Sequence, residues 1–184
     1  IALAEWKEVG EKRLEKNKRG NKYIKWWGYE DIGWCGAFVG YCLDTAGVPL
    51  EPSDNWKKVK PLEDGRPYSL REAGVPKLRT GFTNMDRITD VPQPGYLIIF
   101  GAKGYYADVH VGMITDVVDR GNGVYQLFTV EGNIGGGTVK RYSFLYDSKA
   151  ADIKTNMYYE GPRQTKVDGK KYNWYVQAIC QTWQ

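Results

Sequence analysis

Cys35-Gly-Ala-Phe-Val-Gly-Tyr-Cys-Leu-Asp-Thr-Ala46, followed by Gly47 and Pro49, is the stretch on which the fold turns. Its apolar residues fall at 35, 38, 39, 42, 43 and 46, the spacing of one buried helical stripe. Gly47 ends the helix and Pro49 confirms the stop. A thiol therefore opens a buried helix, where free N–H groups and the helix dipole favour the thiolate. Just upstream, Gly28-Tyr-Glu-Asp-Ile-Gly-Trp34 is a glycine-bounded loop, and Tyr23, Ile24, Trp26 and Trp27 form an aromatic approach to it. Residues 3–17 are expected to form an earlier helix, from the spacing of Leu3, Trp6, Val9 and Leu14, with Gly20-Asn21 as its stop.

Downstream the pattern changes. Residues 49–94 carry seven of the eight prolines and little periodicity; short helices are expected near 56–59 and 69–73. From 95 on, Tyr96–Phe100, Val109–Val118, Val124–Glu131 and Thr138–Phe144 read as strands joined by glycine turns. Residues 147–172 are polar, a loop or hairpin insertion, and Tyr172–Thr182 alternates as a last strand. Helices first and strands later predict an α+β fold with N-terminal helices and a central antiparallel sheet.

The chain has 184 residues, enough for one domain with a proper core, and an apolar content of 42% sets it apart from disordered chains. One domain over 1–184 is expected. Because the chain begins at Ile1 rather than Met, it is expected to be excised from, or part of, a longer protein. The net charge of +4 is spread, apart from the basic run Lys12–Arg19, so no nucleic-acid stripe is expected. No run of 18 apolar residues suits a membrane span. Cys35 and Cys42 stand two helical turns apart, roughly 10 Å by the rise per residue, too far for a disulfide. With no CxxC pair there is no zinc pattern.

The chain's single histidine, His110, lies in the strand-like run Val109–Thr115. A lone imidazole on a strand can serve as base to a helix-start thiol, and Cys before His is the chain order of papain-like cysteine hydrolases. Glu131 and Asn133 flank Gly132 and, by strand alternation, should share one face; the preceding hairpin would bring that face beside His110. Either a carboxylate or an amide can orient an imidazole, and Glu131 is favoured over Asn133. Tyr29, with the Cys35 backbone N–H, is a candidate oxyanion donor. Trp27 and Trp34 are candidate substrate-groove aromatics.

Four motifs in this order resemble the CHAP family (cysteine, histidine-dependent amidohydrolase/peptidase), within the NlpC/P60-like group. They are Trp34-Cys-Gly-Ala-Phe-Val39, Pro94-Gly-Tyr-Leu-Ile-Ile-Phe100, His110-Val-Gly-Met-Ile114 and Val130-Glu-Gly-Asn133, which span roughly residues 23–145. The resemblance implies a papain-like fold and cleavage of an amide bond in bacterial peptidoglycan, in the stem peptide or cross-bridge, as endopeptidase or N-acetylmuramoyl-L-alanine amidase. It implies Cys35 as nucleophile, His110 as base, and Glu131 and Asn133 as its polar partners. It further implies a cell-wall-facing location, reached by secretion, a phage particle or a secretion system. Two departures stand out. Tyr96 replaces the acidic residue usual after the Pro-Gly pair. Some members also hold calcium in an aspartate-rich loop before the cysteine. This chain has only Glu30 and Asp31 there, spaced unlike a calcium loop, so neither metal nor cofactor is expected. Two other readings stay open: an idle wall-binding module on the same fold, and a thiol protease or acyltransferase acting on a non-wall substrate.

Overall fold

A computed structural model of the chain describes all residues except 11, 31, 53–68, 106, 159–162 and 184. Helices α1 (Ala2–Val9), α2 (Lys22–Trp27) and α3 (Cys35–Thr45) come first. Two short parallel strands follow, β1 (Leu50–Pro52) and β2 (Ser69–Arg71), and then α4 (Val75–Asn84). The remaining strands are β3 (Ile88–Thr89), β4 (Leu97–Ala102), β5 (His110–Asp119), β6 (Val124–Ile134), β7 (Thr138–Asp147), β8 (Met157–Tyr158), β9 (Gln164–Val167) and β10 (Lys170–Cys180). They pair antiparallel in the order β3-β10-β4-β5-β6-β7-β8, with β9 on the first part of β10. The class is α+β with an antiparallel sheet, as the order of periodicities predicts.

The stripe of α3 explains its position. Cys35, Phe38, Val39, Cys42 and Leu43 are all buried, and the helix lies on β5 and β6. The sheet has core on both faces. Leu97 and Ile99 of β4 join the cluster beneath the helices, while Ile98 and Phe100 join Leu127, Phe144, Val176 and Ile179 on the other side. Burying each such side chain contributes about 1.5–3 kcal/mol. Burial on both faces is why β4 reads as a continuous apolar run instead of an alternation.

Three expectations need correction. The helix expected over 3–17 ends at Gly10, whose φ of +51° only glycine adopts freely. The chain then leaves the helix: the Leu14 N–H donates to the Gly137 carbonyl at 2.8 Å and Arg13 Nε to the Gly136 carbonyl at 2.9 Å. Leu14 therefore continues a tertiary contact and no longer a helical stripe. Asn21, expected to help stop a helix, starts one. Its side chain accepts from the Tyr23 and Ile24 N–H groups at 3.0 and 3.2 Å and caps α2. The helix expected at 69–73 is instead β2. The helical segment is α4 just beyond it, with Pro76 in its first turn and Val75, Leu78 and Phe82 buried. Lys77, Arg79 and Gly81 between those positions dilute the apolar signal. The helix expected at 56–59 lies outside the described residues. No helix among the described residues is long and apolar enough to cross a membrane.

Candidate active site

Cys35 is the first residue of α3 and His110 the first of β5, so a helix start and a strand start meet at one end of the sheet. The Cys35 thiol is buried and hydrogen-bonded to the His110 ring and to the backbone of Val111 and Gly36. Burial is the largest influence on this thiol and opposes ionisation. The His110 charge and those hydrogen bonds outweigh it, so its pKa is lowered from the ordinary value. Burial likewise pushes the His110 imidazole down, but the Cys35 charge and the Cys35 and Glu131 contacts prevail and raise it to about 9. The two shifts favour a thiolate–imidazolium pair. The ring packs beside Phe100, at 6.1 Å between centroids, and Trp174, at 5.3 Å, which also contact each other.

Behind the imidazole stands Glu131, fully buried on β6. His110 Nε2 lies 3.0 Å from Glu131 Oε2, an ion-pair contact in which the ring N–H points off the line to the oxygen. A glycine opens this path. A Cβ at Gly112, two residues beyond His110, would sit 2.5 Å from Glu131 Cγ, so any larger residue would displace the carboxylate. Asn133 arrives differently from the way alternation predicts. The β6–β7 register shifts between Gly132 and Ile134, and Asn133 takes a left-handed φ of +63°, which asparagine tolerates. The bulge breaks the two-residue period. Asn133 still reaches the site's edge, where its amide faces Gly33 in the loop before Cys35. Glu131 is the member that touches His110.

Sequence reasoning missed two partners of Glu131. Arg163 Nη1 and Nη2 donate to its two carboxylate oxygens, each at 2.7 Å, and Thr129 Oγ1 donates to Oε1 at 2.6 Å. The guanidinium lies 4.1 Å from the Tyr142 ring centroid, 4.3 Å from that of Trp174 and 4.9 Å from that of Phe100. Burial tends to raise the Glu131 carboxyl, but the Arg163 charge, then the His110 contact, hold it well below the ordinary carboxylate range. One arginine in a polar stretch carries no local pattern, so no signal in the sequence marks it. The aromatic alternation of Tyr172 and Trp174 at least marks the strand that packs on it.

The sequence model of the CHAP domain matches residues 24–133, more than half of the chain. The chain belongs to the CHAP family. No curated protein and no solved structure matches it. CHAP domains are usually hydrolases of the amidase or peptidase type, with peptidoglycan as the substrate. The matched span contains Cys35, His110, Glu131 and Asn133 and ends before Arg163.

The CHAP residues open onto a cleft of about 710 Å³. Its lining includes Cys35, His110 and Asn133, the glycines at 135 and 136, and a wall of Tyr142, Arg163, Lys166 and Trp174. Among the described residues, the lining carries two cations besides His110 and no carboxylate. Among the described residues, the aromatics lining this cleft are Tyr142 and Trp174, not those expected. Trp34 is completely buried, with its ring stacked on Tyr23 at 5.3 Å, so it is core and cannot meet a substrate. Trp27, half-buried at the end of α2, lies under the Arg71 guanidinium and is not in the cleft lining. Tyr29 is 68% exposed, packs against Trp27 and is not in the lining either. For an oxyanion donor the site retains the backbone N–H groups at the start of α3. Among the described residues no three His, Cys, Asp or Glu cluster as metal ligands. Glu30 accepts the Lys18 N–H at 3.2 Å, and Asp31 lies outside the described residues.

Proposed function

We propose that this CHAP domain hydrolyses an amide bond in the stem peptide or cross-bridge of bacterial peptidoglycan by thiol catalysis, on a papain-like arrangement of helix and sheet. One observation carries the reading. The thiol at the start of α3 is hydrogen-bonded to the chain's only histidine, whose far nitrogen meets a fully buried, ionised carboxylate. That is a nucleophile, a base and an orienting group in contact order.

Each step follows from these groups. The Cys35 thiolate attacks the amide carbonyl carbon, and the oxyanion that forms faces backbone N–H groups at the helix start. The His110 imidazolium then gives its proton to the leaving nitrogen, the C–N bond breaks, and a thioester and a free amine result. The neutral imidazole next takes a proton from water. The hydroxide adds to the thioester, and the acid leaves while the sulfur returns as thiolate. Glu131 holds the imidazole in place and supports its charge in both steps. A domain acting on this substrate would work outside the cytoplasm, facing the wall.

Digestion of purified sacculi, followed by mass spectrometry of the fragments, tests the reading. New amino termini are expected with the native protein and none with Cys35→Ala. A free alanine amino terminus beside a free lactyl carboxyl identifies an amidase; a new terminus within the peptide identifies an endopeptidase. Intact sacculi after digestion with folded native protein overturn the reading.

A further inference from the structure

The matched CHAP segment ends at residue 133, yet the buried carboxylate within it is held by a side chain thirty residues farther on. We propose that Arg163 is a positioning residue of the active site. On this view its fork keeps Glu131 ionised and in plane, and through Glu131 it sustains the Cys35–His110 pair. The proposal rests on the thiol mechanism set out above.

Three observations carry it. The contact is bidentate, with both guanidinium Nη atoms at 2.7 Å from the two carboxylate oxygens, the geometry that fixes a carboxylate plane. The side chain is only 14% exposed, packs on Tyr142, Trp174 and Phe100, and meets a carboxylate that is fully buried, so water screens the pair far less than it would on an open surface. Finally, the four groups alternate in charge: thiolate, imidazolium, carboxylate, guanidinium. The alternating set sums to zero. Without Arg163, the same buried set would carry an unbalanced negative charge, which a low-dielectric interior resists.

The backbone shows where Arg163 gets its position. Its carbonyl accepts the Trp174 N–H at 2.8 Å, next to the β9–β10 ladder, in which Asn173 pairs with Gln164. That hairpin also supplies Gln164, Thr165, Lys166 and Trp174 to the cleft. The wall that a substrate meets and the charge that steadies the base therefore belong to one element.

A labelling experiment separates a positioning role from mere packing. The rate of Cys35 alkylation by iodoacetamide is measured against pH on the whole protein, with the labelled cysteine identified by mass spectrometry. Native protein, Arg163→Met, Arg163→Lys, Glu131→Gln and the Glu131→Gln/Arg163→Met double variant are compared, with circular dichroism as the check on folding. Removing the guanidinium lets the Glu131 carboxyl take a proton as pH falls. His110 then loses its anion, and the thiolate disappears at a higher pH. The acid limb of Arg163→Met should move up by about one pH unit or more, which slows labelling at pH 6 by about tenfold. Arg163→Lys, with the charge but not the fork, should fall between the two. In the Glu131→Gln background, loss of Arg163 should add no further shift.

An unmoved acid limb in a folded variant overturns the proposal. So does a shift to lower pH, because losing a cation can only raise the pKa of the thiol; its direct effect would move the limb up even without Glu131, and the Glu131→Gln background separates that case. An equal shift in the Glu131→Gln background also overturns it, because Arg163 would then act without Glu131. Should Arg163→Met fail to fold, Arg163→Lys carries the same comparison. If native Cys35 labels no faster than a free thiol at neutral pH, the thiol mechanism itself fails. Fast native labelling with unshifted variants defeats only the role of Arg163.

Discussion

Two turns of α3 hold the same side chain in opposite chemical states. Cys35 and Cys42 share a helix, a stripe and near-complete burial. At the first turn the neighbours are His110 and backbone N–H groups, and the thiol pKa is lowered. At the third the neighbours are apolar. The charge with the largest influence is Glu5, whose carboxylate accepts from the Tyr23 hydroxyl at 2.7 Å; burial, then Glu5, pushes the Cys42 thiol up. Burial opposes ionisation in both, so it does not make the difference. What does is a hydrogen-bonded cation in one case and, in the other, no such partner but the charge of an anion. Cys180, buried in β10, sides with Cys42: burial pushes its thiol up as well.

The comparison breaks most directly at Cys35. Cys35→Ala should cost activity on sacculi by more than about a thousandfold while leaving the circular dichroism spectrum unchanged. Activity retained in the folded variant would mean that the difference between the two thiols has no catalytic consequence.

Glu131→Gln should lower turnover by about a hundredfold, and Asn133→Ala by less. The pH profile sharpens the point. The native pair is active while His110 is protonated, so activity should fall on the alkaline side near pH 9. Loss of the Glu131 charge destabilises the imidazolium and lowers its pKa, which moves that alkaline limb to lower pH. A profile untouched by Glu131→Gln but abolished by Asn133→Ala would hand the orienting role to the amide.

Cys42→Ala should do the reverse of Cys35→Ala. Unfolding in denaturant should show a loss of about 1 kcal/mol, with specific activity unchanged. A stable, inactive Cys42→Ala protein would invert the assignment of the two thiols.

The smallest expected effect is that of a chelator. The His110 ring is occupied by Cys35 and Glu131, and no metal-ligand cluster occurs among the described residues. Dialysis against EDTA should leave activity within error, and assays with and without added calcium check it. Recovery that needs calcium would point to the loop around Glu30 and Asp31.

The sequence by itself determined what depends on neighbours a few residues away. The stripe at 35, 38, 39, 42 and 43 is a period written into the chain, and so are the helix stop at Gly47 and the apolar run of β4. The uniqueness of His110 left the thiol only one imidazole to meet. Tertiary structure decided what those patterns leave open. Trp34 reads as a groove aromatic beside Cys35; its ring lies against Tyr23 in the core because α2 folds back over it. Strand alternation correctly turned Glu131 inward, but a bulge reset the count at Asn133, and bulges follow from pairing with a partner strand. Leu14 kept the helical spacing although Gly10 had already ended the helix. Arg163 lies thirty-two residues from the carboxylate it clamps. Periodicity reports only which face of an element is apolar. A charge that crosses from one hairpin to the strand beside another leaves no trace in that record until the sheet brings the two together.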